Sequence, residues 1–244
     1  MIKRLLQVNR RWSTALNAMC PKIFGSISYK DVLLGKINES ILTLSIANVL
    51  EVGGIDRPLM SKNGSYEYDG LDVESRADCY EIYDNFHVQS VEETIVGTYD
   101  MVVSKTLLEH VVDNEKAIES IYSALNVGGV MHHYVPSKWH PYSIALRVLG
   151  PELQKRLIPL IRPEAVKESG YPAFFDHCSV PAMRKLLREQ GFTEVEFQIF
   201  YRANDYFAFF IPLYIVVSIF ENVCRKLNFT LFASGFVVSA KRSI

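Results

Sequence analysis

Short apolar runs alternate with amphipathic segments through the middle of the chain. The runs cover residues 48–52, 68–72, 86–89, 101–104 and 130–135. Between the last two, Asp113 can cap a helix whose apolar side chains recur every three or four residues, and Gly128 and Gly129 can stop it. Because strands that alternate with helices form βαβ units, this pattern predicts an α/β fold with a mostly parallel sheet.

Helices and strands are also predicted on both sides of this segment. Residues 1–47 have apolar positions near helical spacing, with Asp31 as the expected cap. A further helix is predicted from Ser179 to Gly191, and the stretches 194–202 and 230–241 alternate as strands do. The central sheet is therefore expected to continue towards the carboxyl terminus.

The segment 138–178 interrupts this rhythm with aromatic and basic residues and with several prolines. These are Pro141, Pro151, Pro159, Pro163 and Pro172. A long irregular insertion is more often a lid or a binding loop than a connector. We therefore expect this segment to cover a ligand.

A hydrophobic helix is predicted over 206–227, with no charge between Asp205 and Glu221 and with Pro212 as a kink. A spanning helix needs about twenty apolar residues, so this segment is too short to cross a membrane. Core packing and docking on a bilayer or a lipid-linked substrate remain open. The basic stretch 1–30, which has no acidic residue, suits a membrane-surface or targeting helix as well as an ordinary amphipathic one.

Composition narrows the class of protein. The 244 residues, about half of them apolar, can bury one core, and we favour a single elaborated domain. A formal charge of -1 and the lack of an arginine-rich tract interleaved with aromatics disfavour nucleic acid as a partner. The four cysteines lack CxxC spacing, so we expect no disulfide framework, no metal site and a reducing, cytoplasmic location. Nothing in the sequence indicates an oligomeric state.

Small and acidic residues end the apolar runs, as they do where parallel strands meet a ligand. Glu51 lies near the end of the first run, Gly53 and Gly54 follow that run, and Asp72 ends the second run, 21 positions after Glu51. Glycine lets a backbone approach a ligand closely, and a carboxylate after the second strand can accept hydrogen bonds from ribose hydroxyls. A nucleoside-containing ligand is expected, and the same spacing would serve a nicotinamide dinucleotide.

The order of VLEVGG, YDGLDVES, YDMVVSKTLLEHV and ALNVGGVMHHYVPS resembles the class I S-adenosylmethionine-dependent methyltransferases, especially the small-molecule, methyltransferase type 11-like branch. The resemblance is strongest at the LEH element, Leu108 to His110. It implies a Rossmann-like doubly wound sheet, mostly parallel with an antiparallel last strand, and helices on both faces. It also implies N-terminal helices over 1–47, a cofactor-binding core over 48–137, an acceptor lid over 138–178 and a helix and strand part over 179–244.

The resemblance implies a set of residues that bind S-adenosylmethionine and the product S-adenosylhomocysteine. The set comprises Glu51 for the methionine amino group, Gly53 and Gly54 in the turn, Asp72 and Val73 at the ribose, Ser90 and Val91 at the adenine edge, and Ser104 at the end of the fourth strand. The usual pattern is acidic-x-Gly-x-Gly-x-Gly, and here Ile55 and Arg57 replace the second and third glycines. Ser90 suits a simple turn equally well.

Methyl transfer is an in-line displacement, in which the protein positions the two reactants and, for an oxygen nucleophile, removes a proton. Histidine titrates near neutrality and is the natural base. His140 lies just beyond the fifth strand and His110 opens the helix after the fourth, so these two are the candidate catalytic residues. His132, His133 and His177 are further candidates, and many relatives need no base.

Three hypotheses follow. The first is an S-adenosylmethionine-dependent methyltransferase, acting at oxygen on a small molecule or on a saccharide or lipid-linked intermediate, with peripheral membrane contact left open. The second is an inactive, methyltransferase-like binding or scaffold protein, motivated by the missing glycines. The third is a nicotinamide-dependent oxidoreductase, which Asp72 supports and the absence of GxGxxG opposes.

Overall fold

A computed structural model describes residues 2–62, 64–161 and 172–243. The helices are α1 (Ile2–Met19), α2 (Pro21–Phe24), α3 (Tyr29–Thr43), α4 (Cys79–Ile82), α5 (Asn114–Ala124), α6 (Pro141–Ile161), α7 (Val180–Glu189) and α8 (Ile211–Lys226). The strands are β1 (Asn48–Val52), β2 (Glu67–Asp72), β3 (Phe86–Val88), β4 (Tyr99–Lys105), β5 (Leu125–Pro136), β6 (Phe192–Phe200) and β7 (Gly235–Arg242). Pro163 and the rest of 162–171 lie outside the described residues.

The seven strands form one sheet in the order β3-β2-β1-β4-β5-β7-β6. The pairs among β1 to β5 are parallel. β7 is antiparallel to β5. The His132 ring shares a hydrogen bond with the Ser239 hydroxyl, and five residues later in the chain the Ser137 amide donates to the carbonyl of Ser234, which precedes Ser239 by five residues. β7 is also antiparallel to β6, because the Ser234 amide donates to the Phe200 carbonyl while the Thr193 hydroxyl donates to the Lys241 carbonyl. The predicted Rossmann-like sheet, mostly parallel with an antiparallel end, is confirmed.

Backbone contacts group the chain into two compact units. The first contains residues 1–27, 137–173 and 199–235, and the second contains 28–136, 174–198 and 236–244. Nearly all of the sheet lies in the second unit, where the buried strand residues of β1, β4 and β5 form the core. The first unit is helical.

Side-chain caps start α3 and α5. Asp113 caps α5 as predicted, with its side chain accepting from the Lys116 amide at 3.1 Å. The predicted cap of α3 is wrong, since Ser28 accepts from the Asp31 amide at 3.2 Å and Asp31 lies in the first turn. Helix α5 ends at Ala124, before the glycines, because β5 already begins at Leu125.

Prolines account for two further differences from the sequence predictions. The insertion is not irregular throughout, because residues 141–161 form α6 with a kink at Gly150, and Pro141 starts that helix. Pro212 does not kink α8, which begins at Ile211 and not near 206, since proline fits the first turn of a helix. The last strand likewise starts at Gly235, after a 3-10 turn over Thr230–Phe232.

The core of the first unit combines aromatic packing with a buried ion cluster. The Phe24 and Tyr214 rings stack at 5.5 Å. The Glu221 carboxylate lies 3.2 Å from His140 Nε2 and 3.4 Å from an Arg202 nitrogen, and all three side chains are buried. Among residues 2–62, 64–161 and 172–243, no helix combines the length and apolar character that a membrane crossing requires.

Candidate functional site

The first two strands bring the predicted ligand residues together at their carboxyl ends. Val52 pairs with Leu71, and the Gly53 amide donates to the Leu71 carbonyl at 2.8 Å. Asp72 therefore lies beside the turn that leaves β1. Because the ligand edge of a parallel sheet is its carboxyl end, this is the candidate site.

Both glycines of the turn lie against other groups. Gly53 has a φ of +81°, and a Cβ there would lie 2.8 Å from the Leu107 side chain. A Cβ on Gly54 would lie 2.2 Å from the Tyr83 hydroxyl and 2.7 Å from the Glu51 carboxyl carbon. Side chains are thus excluded at the two predicted glycine positions.

The next residue keeps a glycine-like backbone without being glycine. Ile55 has a φ of +44° and is buried. Such a torsion is an outlier for a β-branched residue and costs about 1 kcal/mol or more. The tight turn continues through a hydrogen bond from the Arg57 amide to the Gly54 carbonyl at 2.9 Å. The second glycine of the expected pattern is therefore absent in sequence, whereas its type of torsion is present.

Glu51 ties the segment after the turn to the sheet. Its two oxygens accept from the Leu59 amide at 3.1 and 2.9 Å, and one also accepts from the Tyr68 hydroxyl. Burial raises the pKa of this carboxyl to about 7, although these hydrogen bonds oppose the shift. The sequence did not indicate Tyr68 or Tyr83. Tyr68 lies inside β2, and Tyr83 directly follows α4.

Asp72 ends β2 with a half-buried carboxylate whose Oδ1 accepts from the Glu74 amide at 3.1 Å. Burial raises its pKa, and the Glu74 and Val73 amides oppose this. Val73 itself is 64% exposed. A carboxylate with this setting can accept hydrogen bonds from vicinal hydroxyls of a bound nucleoside.

Ser90 forms a local turn after β3. Its hydroxyl donates to a Glu92 carboxylate oxygen and accepts from the Glu92 amide, each at 3.2 Å, while Val91 is buried. The Gln89 amide donates to the Asp72 carbonyl at 3.0 Å, which fixes this turn beside the end of β2. The turn interpretation of Ser90 thus has direct support, and a contact with a ligand base stays a prediction.

Ser104 is fully buried at the end of β4 and shares a 2.7 Å hydrogen bond with His133 Nδ1 on β5. Burial lowers the pKa of His133 to about 3, so its imidazole is neutral. His132 is also buried, between Ser40 and Ser239. These two histidines are packed in the sheet as neutral side chains.

The LEH turn is held by a residue that sequence reasoning missed. The Asn114 side chain donates to the Leu108 carbonyl at 2.8 Å and to the Asp176 carbonyl at 2.6 Å. The Glu109 carboxyl is buried, which raises its pKa to about 8, and the His110 Nε2 lies 3.8 Å from it. His110 is half-buried in this turn. The signal for Asn114 was its position beside the helix cap Asp113.

His140 belongs to the first unit, where its ring is fully buried beside Glu221 and accepts from the Tyr142 amide at 3.3 Å. His177 lies 2.9 Å from Asp176. Within the described ranges, no cluster of histidine, cysteine and acidic side chains could hold a metal ion.

We expect the free energy of unfolding to fall by about 2 kcal/mol between pH 6.5 and 8. In the folded protein the pKa values of Glu51 and Glu109 are about 7 and 8, so both carboxyls are still partly protonated over this range. In the unfolded chain their pKa is 4.5, so both have already released their protons. Because burial lowers the folded pKa values of His132 and His133, these two residues make the free energy of unfolding rise with pH, but only below about pH 6.5. Urea unfolding across this pH range measures the effect.

Glu109→Gln should remove most of this pH dependence, since a neutral amide replaces a carboxyl that must ionise while buried. Glu119→Gln, on the exposed face of α5, is the matched control and should leave the dependence unchanged. If the free energy of unfolding depends on pH equally in both variants, Glu109 ionises as readily in the folded protein as in the unfolded chain.

A family model described as a methyltransferase domain matches residues 6–196. The chain matches none of the curated protein sequences.

Three solved structures illustrate the likeness in fold. The CurJ carbon methyltransferase is 13% identical with a TM-score of 0.53, covering 88% of this chain and 54% of its own. The N-methyltransferase NodS from Bradyrhizobium japonicum, in complex with S-adenosyl-L-homocysteine, is 12% identical with a TM-score of 0.50, covering 87% and 86%. Phosphoethanolamine N-methyltransferase 2 from Haemonchus contortus, in complex with S-adenosyl-L-methionine, is 12% identical with a TM-score of 0.50, covering 96% and 57%. The chain thus spans little more than half the length of the CurJ and Haemonchus contortus proteins.

Proposed function

The chain belongs to the class I S-adenosylmethionine-dependent methyltransferases, and we propose that it methylates an oxygen of a small molecule or of a saccharide or lipid-linked intermediate. The observation that supports donor binding is Asp72, which ends β2 beside the glycine turn of β1. When bound, the donor supplies an electrophilic methyl group on a sulfonium centre. The chain's own residues bind the donor, orient the acceptor and handle its proton.

The residues at the carboxyl ends of β1 and β2 fit this donor in two respects. Asp72 offers a half-buried carboxylate for the ribose hydroxyls, and Gly53 and Gly54 keep the turn free of side chains that would meet Leu107 or Tyr83. Glu51 differs from the role that the resemblance implies, because its carboxyl already accepts from Leu59 and Tyr68. We propose that Glu51 holds the turn in shape and reaches the methionine amino group through water.

His110 is the residue we propose for the acceptor's proton. An oxygen acceptor releases a proton during transfer, and a half-buried imidazole in the turn after β4 is suited to take it. The buried Glu109 carboxyl, 3.8 Å away, would stabilise the imidazolium if it ionises. His140 is buried against Glu221, so its role as a base stays a prediction.

The choice of oxygen and of the acceptor class rests on this chain's residues. The similar structures named above include carbon and N-methyltransferases. A histidine base suits a hydroxyl, which must lose its proton, and the exposed apolar side chains of α8 suit an acceptor with a lipid part.

We expect the folded full-length chain to bind both S-adenosylmethionine and S-adenosylhomocysteine in isothermal titration. A transfer assay with methyl-labelled donor, on separate water-soluble and lipid-linked saccharide fractions, then identifies the acceptor class. Binding of neither ligand by folded protein would reject catalysis and favour the scaffold alternative. Label on nitrogen or carbon would reject oxygen as the acceptor atom while leaving the methyltransferase assignment intact.

A further inference from the structure

Charge is divided unevenly between the two compact units. The first unit contains 14 lysines and arginines and 5 acidic residues, whereas the second contains 12 and 22. The overall charge of -1 therefore conceals a strongly basic unit. Charge asymmetry of this kind indicates a polyanionic partner.

Helix α1 of the basic unit has its apolar side chains turned outwards. Four large apolar residues recur on one side of the helix and are between 43% and 71% exposed: Leu5, Val8, Trp12 and Met19. The side that packs on the unit places Leu16 against its apolar core and otherwise makes polar contacts. Asn9 accepts from the Ile211 amide at 3.2 Å, and Asn17 accepts from the Tyr214 hydroxyl at 2.8 Å. The apolar stripe is thus not needed for packing within the unit.

Helix α8 of the same unit also has an outward apolar stripe. Its members are spaced three or four residues apart and are between 47% and 62% exposed: Val216, Ile219, Val223 and Leu227. The following 3-10 turn adds Phe229, Leu231 and Phe232, which are also exposed. This helix buries the opposite side, including Tyr214 and Glu221.

The two stripes belong to one packed assembly of helices. Besides the contacts of Asn9 and Asn17, the Asn222 side chain donates to the Ile23 carbonyl at 3.0 Å, so α1, α2 and α8 lie side by side. Exposed Arg4 and Arg11 accompany the α1 stripe, and Lys22, Arg225 and Lys226 cluster where α2 meets the end of α8. Apolar side chains flanked by cations are typical of helices that lie in a membrane interface.

We propose that the outward faces of α1 and α8 dock the first unit on the surface of an anionic phospholipid bilayer. The apolar stripes would enter the boundary between headgroups and acyl chains while the flanking cations contact acidic headgroups. A second copy of the chain is a poorer occupant, because two basic units would repel each other. Nucleic acid would satisfy the cations and leave the apolar stripes exposed.

The test is co-sedimentation of the full chain with phosphatidylcholine vesicles that contain about 30% phosphatidylserine or none. We expect binding to the anionic vesicles only, with a partition coefficient at least about tenfold lower when salt rises from about 0.1 M to about 0.5 M. Failure to bind the anionic vesicles would overturn the proposal. This assay needs neither donor nor acceptor, so its outcome is separate from that of the proposed function.

Variants distinguish docking through these helices from nonspecific adsorption to vesicles. The double variant Trp12→Ser with Ile219→Ser should lower partitioning at least about tenfold, because it interrupts both stripes. Val96→Ser with Val127→Ser is the matched control, since these side chains are 71% and 62% exposed in the other unit, and it should bind as the parent does. Equal losses in the two variants, at unchanged circular dichroism, would contradict the assignment of the face. Concentration-dependent dimerisation that only the first variant abolishes would identify a second copy as the occupant instead.

Discussion

Replacing Asp72 by asparagine should weaken binding of S-adenosylhomocysteine at least about tenfold, because hydrogen bonds to a charged group contribute roughly 1.5 to 3 kcal/mol. The asparagine amide has one acceptor oxygen and no charge, whereas the carboxylate can accept from both ribose hydroxyls. Asp72 Oδ1 accepts from the Glu74 amide, and an asparagine oxygen can accept in its place. The fold should therefore survive the change, and titration calorimetry on the folded variant measures the loss.

Glu74→Gln provides the control for this experiment. Glu74 is an exposed carboxylate two residues further on, so it removes the same charge from the same loop. If both variants lose affinity equally, the effect is one of net charge. If Asp72→Asn binds as tightly as the parent, Asp72 does not contact the ligand.

Gly54→Ala should destabilise the protein by about 2 kcal/mol or more, as overpacking of a filled core does. The added Cβ would lie 2.2 Å from the Tyr83 hydroxyl and 2.7 Å from the Glu51 carboxyl carbon. Both side chains are almost completely buried, so neither can swing into solvent to make room. Movement of Glu51 would also break its hydrogen bonds to Leu59. Urea unfolding at fixed pH measures the loss, and ligand affinity should fall with it.

Gly35→Ala is the matched control, because Gly35 lies inside α3 with nothing within 4 Å of the added Cβ. This variant should gain about 0.5 to 1 kcal/mol, since glycine in a helix interior is less stable than alanine. A Gly54→Ala protein as stable as the parent would show that the turn can shift as a whole, and that the contacts with Tyr83 and Glu51 are not rigid.

The sequence predicted the sheet well because strand and helix periods are local properties. The alternation of apolar runs identified β1 to β5, and Asp72 appeared at a strand end as expected. The helices that contain prolines were predicted less well. Pro141 and Pro212 lie in first turns, where proline is compatible with a helix, and composition alone does not distinguish a first turn from a helix interior.

The candidate site was predicted only in part, because its contacts join residues far apart in the chain. Glu51 bonds Tyr68, 17 positions away, and the Asn114 side chain reaches Asp176, 62 positions away. A pattern of spacings identifies Glu51 as an acid near the end of a strand. It does not indicate that this acid would be buried and bonded to the protein itself.

The left-handed torsion at Ile55 has a practical consequence for recognising proteins of this kind. A sequence motif that requires three alternating glycines would not match this chain, although the backbone at Ile55 has a torsion angle of the kind that glycine usually adopts. A search keyed to torsion angles at the first strand's exit would detect it. The shape of a nucleotide-binding turn can thus be a more faithful marker than the letters that usually encode it.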